Sequence, residues 1–273
     1  LDMLGKMATN EPEKYAKFWT QFGPVLKEGP SEDHSNREKI AKLFRFASST
    51  SDSAATDVSL TDYVSRMKEG QDKIYFLTGD SHSVINNSPY LEIFRKHGVE
   101  VILMSDRIDE WMMGYLNEFD GKSFQDIARG ELDLSKITGE EPKAEDADKK
   151  DDDSDQGVLL KRINTLLEGK VEEVRTTTRL TSSPACLVVG ADDMGEQMRK
   201  IMAAAGQPVP EVKPILEINA EHPLVSKLDG ETDEDKAKIL ASVLFDQAAL
   251  SAGRPLENPA QFVQQLNSLM FDA

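Results

Sequence analysis

The chain has 273 residues, with 49 acidic against 32 basic side chains and a formal net charge of −17. That surplus of negative charge repels phosphate backbones and anionic lipid, which excludes nucleic acid and membrane surfaces as expected partners. No apolar run approaches the ~20 residues that a spanning helix requires, and the length exceeds the ~100–200 residues of one domain, so two folded units are expected.

Residues 1–7 space apolar side chains three and four apart, as an amphipathic helix does, and lack the basic-then-apolar order of a signal peptide. Because Leu1 falls inside that helical pattern, with no initiator Met, the chain is expected to be a piece of a longer protein. The single cysteine, Cys186, cannot close an internal disulfide, and 4 histidines offer little for a transition-metal site, so a reducing, cytoplasmic setting is expected.

In chain order, residues 1–70 read as helical. Tyr15, Phe18, Trp19 and Phe22 share one face, and Gly23 with Pro24 should kink or end that helix. A second helix is expected over 36–47, with Ile40, Leu43 and Phe44 on one side. Ser59 should cap a third, which carries Leu60, Tyr63, Val64 and Met67 and ends near Gly70.

The texture then changes. Residues 74–77 and 99–104 are β-rich runs bracketing a helix over 90–97 closed by Gly98, the pattern of a βαβ unit with parallel strands. Asp106 can cap a helix carrying Ile108, Trp111, Met112, Tyr115 and Leu116 that ends near Asp120 and Gly121, and 123–127 reads as a third strand. Residues 140–155 hold nine acids and three lysines with no aromatic or β-branched residue, the composition of a solvated linker at a domain boundary.

Beyond it, 158–167 reads as helix, 171–177 and 185–189 as strands, 192–205 as a helix ended by Gly206, and 215–218 as another strand. Helical spacing over 234–252 and 259–270 makes an αα-hairpin, with Ile239, Leu240, Val243, Leu244, Leu250, Phe262, Leu266 and Leu269 as its apolar positions. The expected fold class is α/β and α+β: a helical segment and a small βαβ unit, then a mixed α+β domain ending in the hairpin. The expected domains are 1–128 (helical 1–70, small α/β 71–128), an acidic linker over 129–157, and 158–273.

The standard phosphate-loop, dinucleotide, zinc-protease, nucleophile-elbow and CxxC motifs do not occur. Asp151, Asp153 and Asp155 imitate the first ligands of a calcium loop, but Gln156 stands where glycine is required and Arg162 where glutamate is. Asp80 lies just beyond the first strand, where open α/β sheets often bind ligands, yet it also suits helix capping. A small-ligand-binding α/β module or enzyme with its site near Asp80 is one functional alternative, and an acidic scaffold another. Among the isolated histidines, His97 is placed for a contact with a helix C-terminus. Cys186 reads as a buried small hydrophobe.

The helix expected over 192–205 aligns Met194, Met198, Ile201 and Met202 on one face, which serves either core packing or an adaptable apolar binding surface. Trp111, Met112 and Met113 crowd a short helix with Ile108, Tyr115 and Leu116, so some of them should stay exposed.

The runs 179–188 (RLTSSPACLV) and 217–224 (EINAEHPL) resemble the C-terminal domain of the ninety-kilodalton heat-shock chaperones, and 75–81 (YFLTGDS), 105–111 (SDRIDEW) and 118–122 (EFDGK) resemble the same family's middle domain. The motifs keep the family's order, span essentially the whole chain and look most like bacterial members. The resemblance implies the client-binding and dimerisation portion of an ATP-dependent chaperone, with ATP and Mg bound elsewhere in the full-length protein and no cofactor or catalytic residue in this piece. It implies client contacts at Trp111, Met112, Tyr115, Met194, Met198, Ile201 and Met202, and a homodimer in which the last two helices pair with their symmetry mates in a four-helix bundle. Expected partners are non-native proteins and other chaperones of the folding network. The acidic pentapeptide ending of eukaryotic relatives is lacking, so co-chaperones that dock on it are not expected, and Gly114 replaces a larger polar residue common in relatives.

Overall fold

The computed structural model describes residues 1–139, 154–210 and 212–271. Residues 140–153 of the expected acidic linker, with Asp151 and Asp153, lie outside the described residues. In chain order the helices are α1 (Asp2–Asn10), α2 (Pro12–Leu26), α3 (Gly29–Glu32), α4 (Arg37–Ala41), α5 (Leu60–Ser65), α6 (His82–Asn86), α7 (Glu92–Lys96), α8 (Asp109–Met113), α9 (Ser135–Thr138), α10 (Asp155–Leu166), α11 (Glu196–Ala204), α12 (Pro223–Asp229), α13 (Glu234–Ser251) and α14 (Pro259–Phe271). The strands are β1 (Ala47–Ser48), β2 (Lys73–Thr78), β3 (Ile102–Met104), β4 (Glu118–Phe119), β5 (Lys122–Asp126), β6 (Val174–Thr176), β7 (Ala185–Val188) and β8 (Ile215–Ile218). The fold is thus mixed α and β, as expected. No described helix is long and apolar enough to cross a membrane.

The chain packs into two units. One comprises 1–87, 94–127 and 197–207; the other comprises 88–93, 128–196 and 208–273.

The first unit is built on a sheet of order β1-β3-β2-β5-β4, with β2 parallel to both β3 and β5 and the edge strands antiparallel. The expected βαβ unit is present. Tyr15, Trp19, Phe44, Phe46, Tyr63 and Met112 fill the core on one side of it. The Tyr63 hydroxyl donates to the Glu100 carbonyl (2.9 Å) and accepts from Gln71 Nε2 (2.9 Å) and the Tyr75 amide (3.0 Å), so one phenol satisfies three buried groups. Ser59 caps α5 in a reciprocal capping box with Asp62.

Three local expectations are corrected here. Helix α2 runs through Gly23 and Pro24 to Leu26. Gly23 is required for close approach, since a Cβ there would stand 2.9 Å from the Trp19 ring. The helix expected over 36–47 stops at Ala41, because Phe46 bridges Val58 and Ala47 pairs with Leu103 in the sheet, and pairing overrides local propensity. Asp120 and Gly121 end no helix. With φ of 49° and 69° they form the two-residue turn of the β4–β5 hairpin, and α8 stops at Met113. Arg95 and Lys96 stand in the last turn of α7, and Lys68 Nζ donates to the His97 carbonyl just beyond it at 2.6 Å.

The second unit carries the sheet β6-β8-β7, with β6 parallel and β7 antiparallel to the central strand. Its core joins Leu159 and Ile163 of α10, Leu187, Leu216, Ile218, Val225 of α12, and Leu240 and Leu244 of α13. The buried Glu217 carboxylate on β8 meets Arg175 Nη2 at 2.7 Å and Arg179 Nε at 2.9 Å, pairing that a charge removed from water needs. Cys186 opposes Glu217 across the sheet and is buried, and burial pushes its thiol pKa well up. His222 caps α12, its Nδ1 accepting the Leu224 amide at 3.1 Å.

Glu92 anchors the turn before β7. Its Oε2 accepts the amides of Thr181 (2.6 Å), Ser182 (2.7 Å) and Ser183 (3.2 Å), and its Oε1 accepts the Ser183 hydroxyl (2.5 Å). Burial raises this carboxyl's pKa, but those donors outweigh it and bring the value down from 4.5 to about 2. A depressed native pKa contributes stability that is present above the unfolded value and lost as pH falls through the folded one. Glu92→Gln should therefore cost roughly 1.5–3 kcal/mol at pH 7, the value of hydrogen bonds to a charged group. It should also flatten the loss of stability between about pH 4.5 and 2, which urea unfolding at pH 7 and in that window measures. Parallel pH profiles for the two proteins would contradict this.

Candidate functional site

Within the first unit, α8 and α11 lie next to each other. Helix α8 begins without a side-chain cap and turns Asp109, Glu110 and Met112 inward. Met112 and Leu116 join the core and Met113 packs against it. Trp111 is half-buried and Tyr115 is 36% exposed, their ring centroids 4.9 Å apart. The crowding read from the sequence is thus resolved by grading the helix: Met112 is buried, Trp111 and Met113 are half-buried and Tyr115 is exposed.

Asp106 is not a cap. Its backbone N–H donates to Asp109 Oδ2 (2.8 Å), and its carboxylate meets the ammonium of Lys27.

Helix α11 begins at Glu196, four residues later than expected. The chain ahead of it is held in a turn by the Asp193 carboxylate, which accepts the Gly190 amide at 2.8 Å. Met194 precedes the first helical residue and so does not share a helix face with Met198, Ile201 and Met202. Those three remain on α11; Met198 and Met202 are half-buried and Ile201 is 40% exposed.

Three polar contacts fix α11 to its neighbours. Glu110 Oε2 accepts the Met198 amide at 2.8 Å, so a carboxylate from α8 does for the α11 N-terminus what an N-cap residue would, and its charge suits the positive end of the helix dipole. Gln197 Nε2 donates to the Gly79 carbonyl, and Lys200 Nζ meets Asp80 Oδ2 at 2.5 Å. Asp80 is therefore ion-paired rather than capping; the cap of α6 is Ser81, whose Oγ accepts the Val84 amide. Sequence reasoning missed Glu110 and Lys200, because nothing in the local pattern says which distant amide or carboxylate they meet.

In the second unit, Leu240, Val243 and Leu244 are buried in its own core, Ile239 is half-buried and Leu250 is exposed. Helix α14 buries no residue completely: Phe262, Leu266 and Leu269 are half-buried, and Val263 (54%), Met270 (66%) and Phe271 (83%) are exposed. The latter three were missed, although they stand beside predicted positions in the sequence. Among the described residues no group of three or more His, Cys, Asp or Glu could hold a metal ion.

Residues 1–273 match the family model described as Hsp90 protein. The chain belongs to the Hsp90 family, a family of ATPase chaperones whose members generally act as dimers on client proteins.

Glu110→Ala should leave the Met198 amide without its acceptor. Amide exchange across 197–204 should then rise roughly tenfold to a hundredfold, the equivalent of about 1.5–3 kcal/mol for a hydrogen bond to a charged group, with β2 and β3 unaffected. Unchanged exchange in α11 would contradict the capping role.

Proposed function

We propose that this chain is the client-binding and dimerising portion of a bacterial-type, cytoplasmic Hsp90 chaperone, with 1–128 as the later part of the middle domain, 129–157 as a linker and 158–273 as the dimerisation domain. The observation that carries the client reading is the apolar set on α8 and α11. Trp111, Tyr115, Met198, Ile201 and Met202 all retain solvent exposure, and the Glu110 carboxylate joins the two helices at 2.8 Å. Large aromatics beside unbranched, polarizable methionines suit a surface that must accept many apolar segments. Met112 supports that surface from the core, and Met194 contributes outside the helix.

The exposed Val263, Met270 and Phe271 of α14, beside the half-buried Phe262, Leu266 and Leu269, support pairing with a second copy. Leu250 belongs to the same pairing surface, whereas Leu240, Val243 and Leu244 brace α13 from inside, with Ile239 at the margin. ATP and Mg bind in the family's nucleotide domain, to which none of the motifs here corresponds, and hydrolysis there drives clients held on this portion.

Capture of a chemically unfolded test protein measures the claim. Trp111→Ala combined with Ile201→Ser and Met202→Ser should weaken suppression of its aggregation at least severalfold, with the melting temperature lowered by only a few degrees because the three side chains are partly exposed. Undiminished capture would refute the reading, and a collapse of the melting temperature would mark these residues as core.

A further inference from the structure

A five-residue helix is too short to hold itself in water, since nucleation costs more than so few hydrogen bonds return. Helix α8 has no side-chain cap either, so the direction in which it presents Trp111 and Tyr115 must be set from outside.

Lys27 stands where that could be done. It is the C-cap residue of α2, far away in sequence, and its side chain is 2% exposed. Its ammonium meets Asp109 Oδ1 at 2.6 Å and Asp106 Oδ2 at 2.7 Å, and lies 4.9 Å from the Phe46 ring centroid and 5.8 Å from that of Trp19. Asp109 is fully buried, and its second oxygen accepts the Asp106 amide at 2.8 Å. The carboxylate of Asp109, two residues before Trp111, thus ties the ammonium to the backbone at Asp106, three residues ahead of α8. A buried ammonium between aromatic faces, with two carboxylates in reach, has a single low-energy position. Burial raises the Asp109 carboxyl pKa and the ammonium opposes it, so the pair is mutually dependent.

We propose that Lys27 is the positioning residue of the binding face, its ammonium fixing the orientation of α8 through Asp109 and Asp106 and thereby the presentation of Trp111 and Tyr115. The functional half of this proposal rests on the client-binding reading of α8.

The test uses the full chain labelled with 5-fluorotryptophan, which gives two fluorine resonances, for Trp19 and Trp111, assigned with Trp19→Phe and Trp111→Phe. The variants are Lys27→Met, and Lys27→Met with Asp109→Asn, the second removing both charges so that no lone carboxylate is buried. The expected result is a displaced or broadened Trp111 resonance with a larger solvent-isotope shift, and capture of an unfolded test protein reduced as far as by Trp111→Ala. Adding Trp111→Ala to Lys27→Met should cost nothing more. A Trp111 resonance and isotope shift equal to wild type in a folded variant would overturn the proposal, because a merely stabilising Lys27 would lower the melting temperature and leave Trp111 in place. If Trp111 moves but Trp111→Ala itself leaves capture intact, the positioning is supported and the client reading of α8 fails.

Discussion

A five-residue helix without a side-chain cap cannot hold itself in water, so α8 depends on contacts made from outside it. The sheet brings α8 to one end, Lys27 fixes the backbone ahead of it, and Glu110 on its inner side satisfies the first turn of α11. Each of these contacts removes a charge from water beside a partner that needs it, which makes them costly to break singly. The partly exposed side chains of α8 and α11 thus stand above buried polar contacts.

The second unit solves a different problem with the same means. A small three-stranded sheet must hold a glutamate on its central strand, and two arginines neutralise Glu217 there. With that settled, α10, α12 and α13 close the core, and α13 uses its apolar positions inward. Helix α14 follows, with Leu269 packed against that core and Val263, Met270 and Phe271 left exposed. Those exposed apolar side chains, on a chain of net charge −17, are the part of α14 that its own core does not cover.

Much of this was legible in the sequence where one signal dominated. The runs at 74–77 and 99–104 became adjacent parallel strands, Ser59 and Asp62 formed their capping box, and the two terminal helices appeared with bounds close to those expected. The failures share a cause. Gly23 and Pro24 read as a kink or an end, but the helix does not end there: the Trp19 ring packs against Gly23 and α2 continues to Leu26. The segment after Ala41 has helical spacing, but Phe46 and Ala47 gain strand partners that spacing cannot reveal. Of the candidate site, the apolar half was readable as a pattern, whereas Lys27, Glu110 and the Asp80–Lys200 pair depend on neighbours 79 to 120 positions away.

The account stands most directly on the exposed Val263, Met270 and Phe271 of α14. Sedimentation equilibrium at micromolar concentration should compare the chain with a variant carrying Val263→Ser, Met270→Ser and Phe271→Ser, which leaves α13 and the core untouched. The account predicts twice the mass of one chain for the first and a shift to monomer for the second. A monomeric parent chain, or a dimer indifferent to all three substitutions, would contradict it.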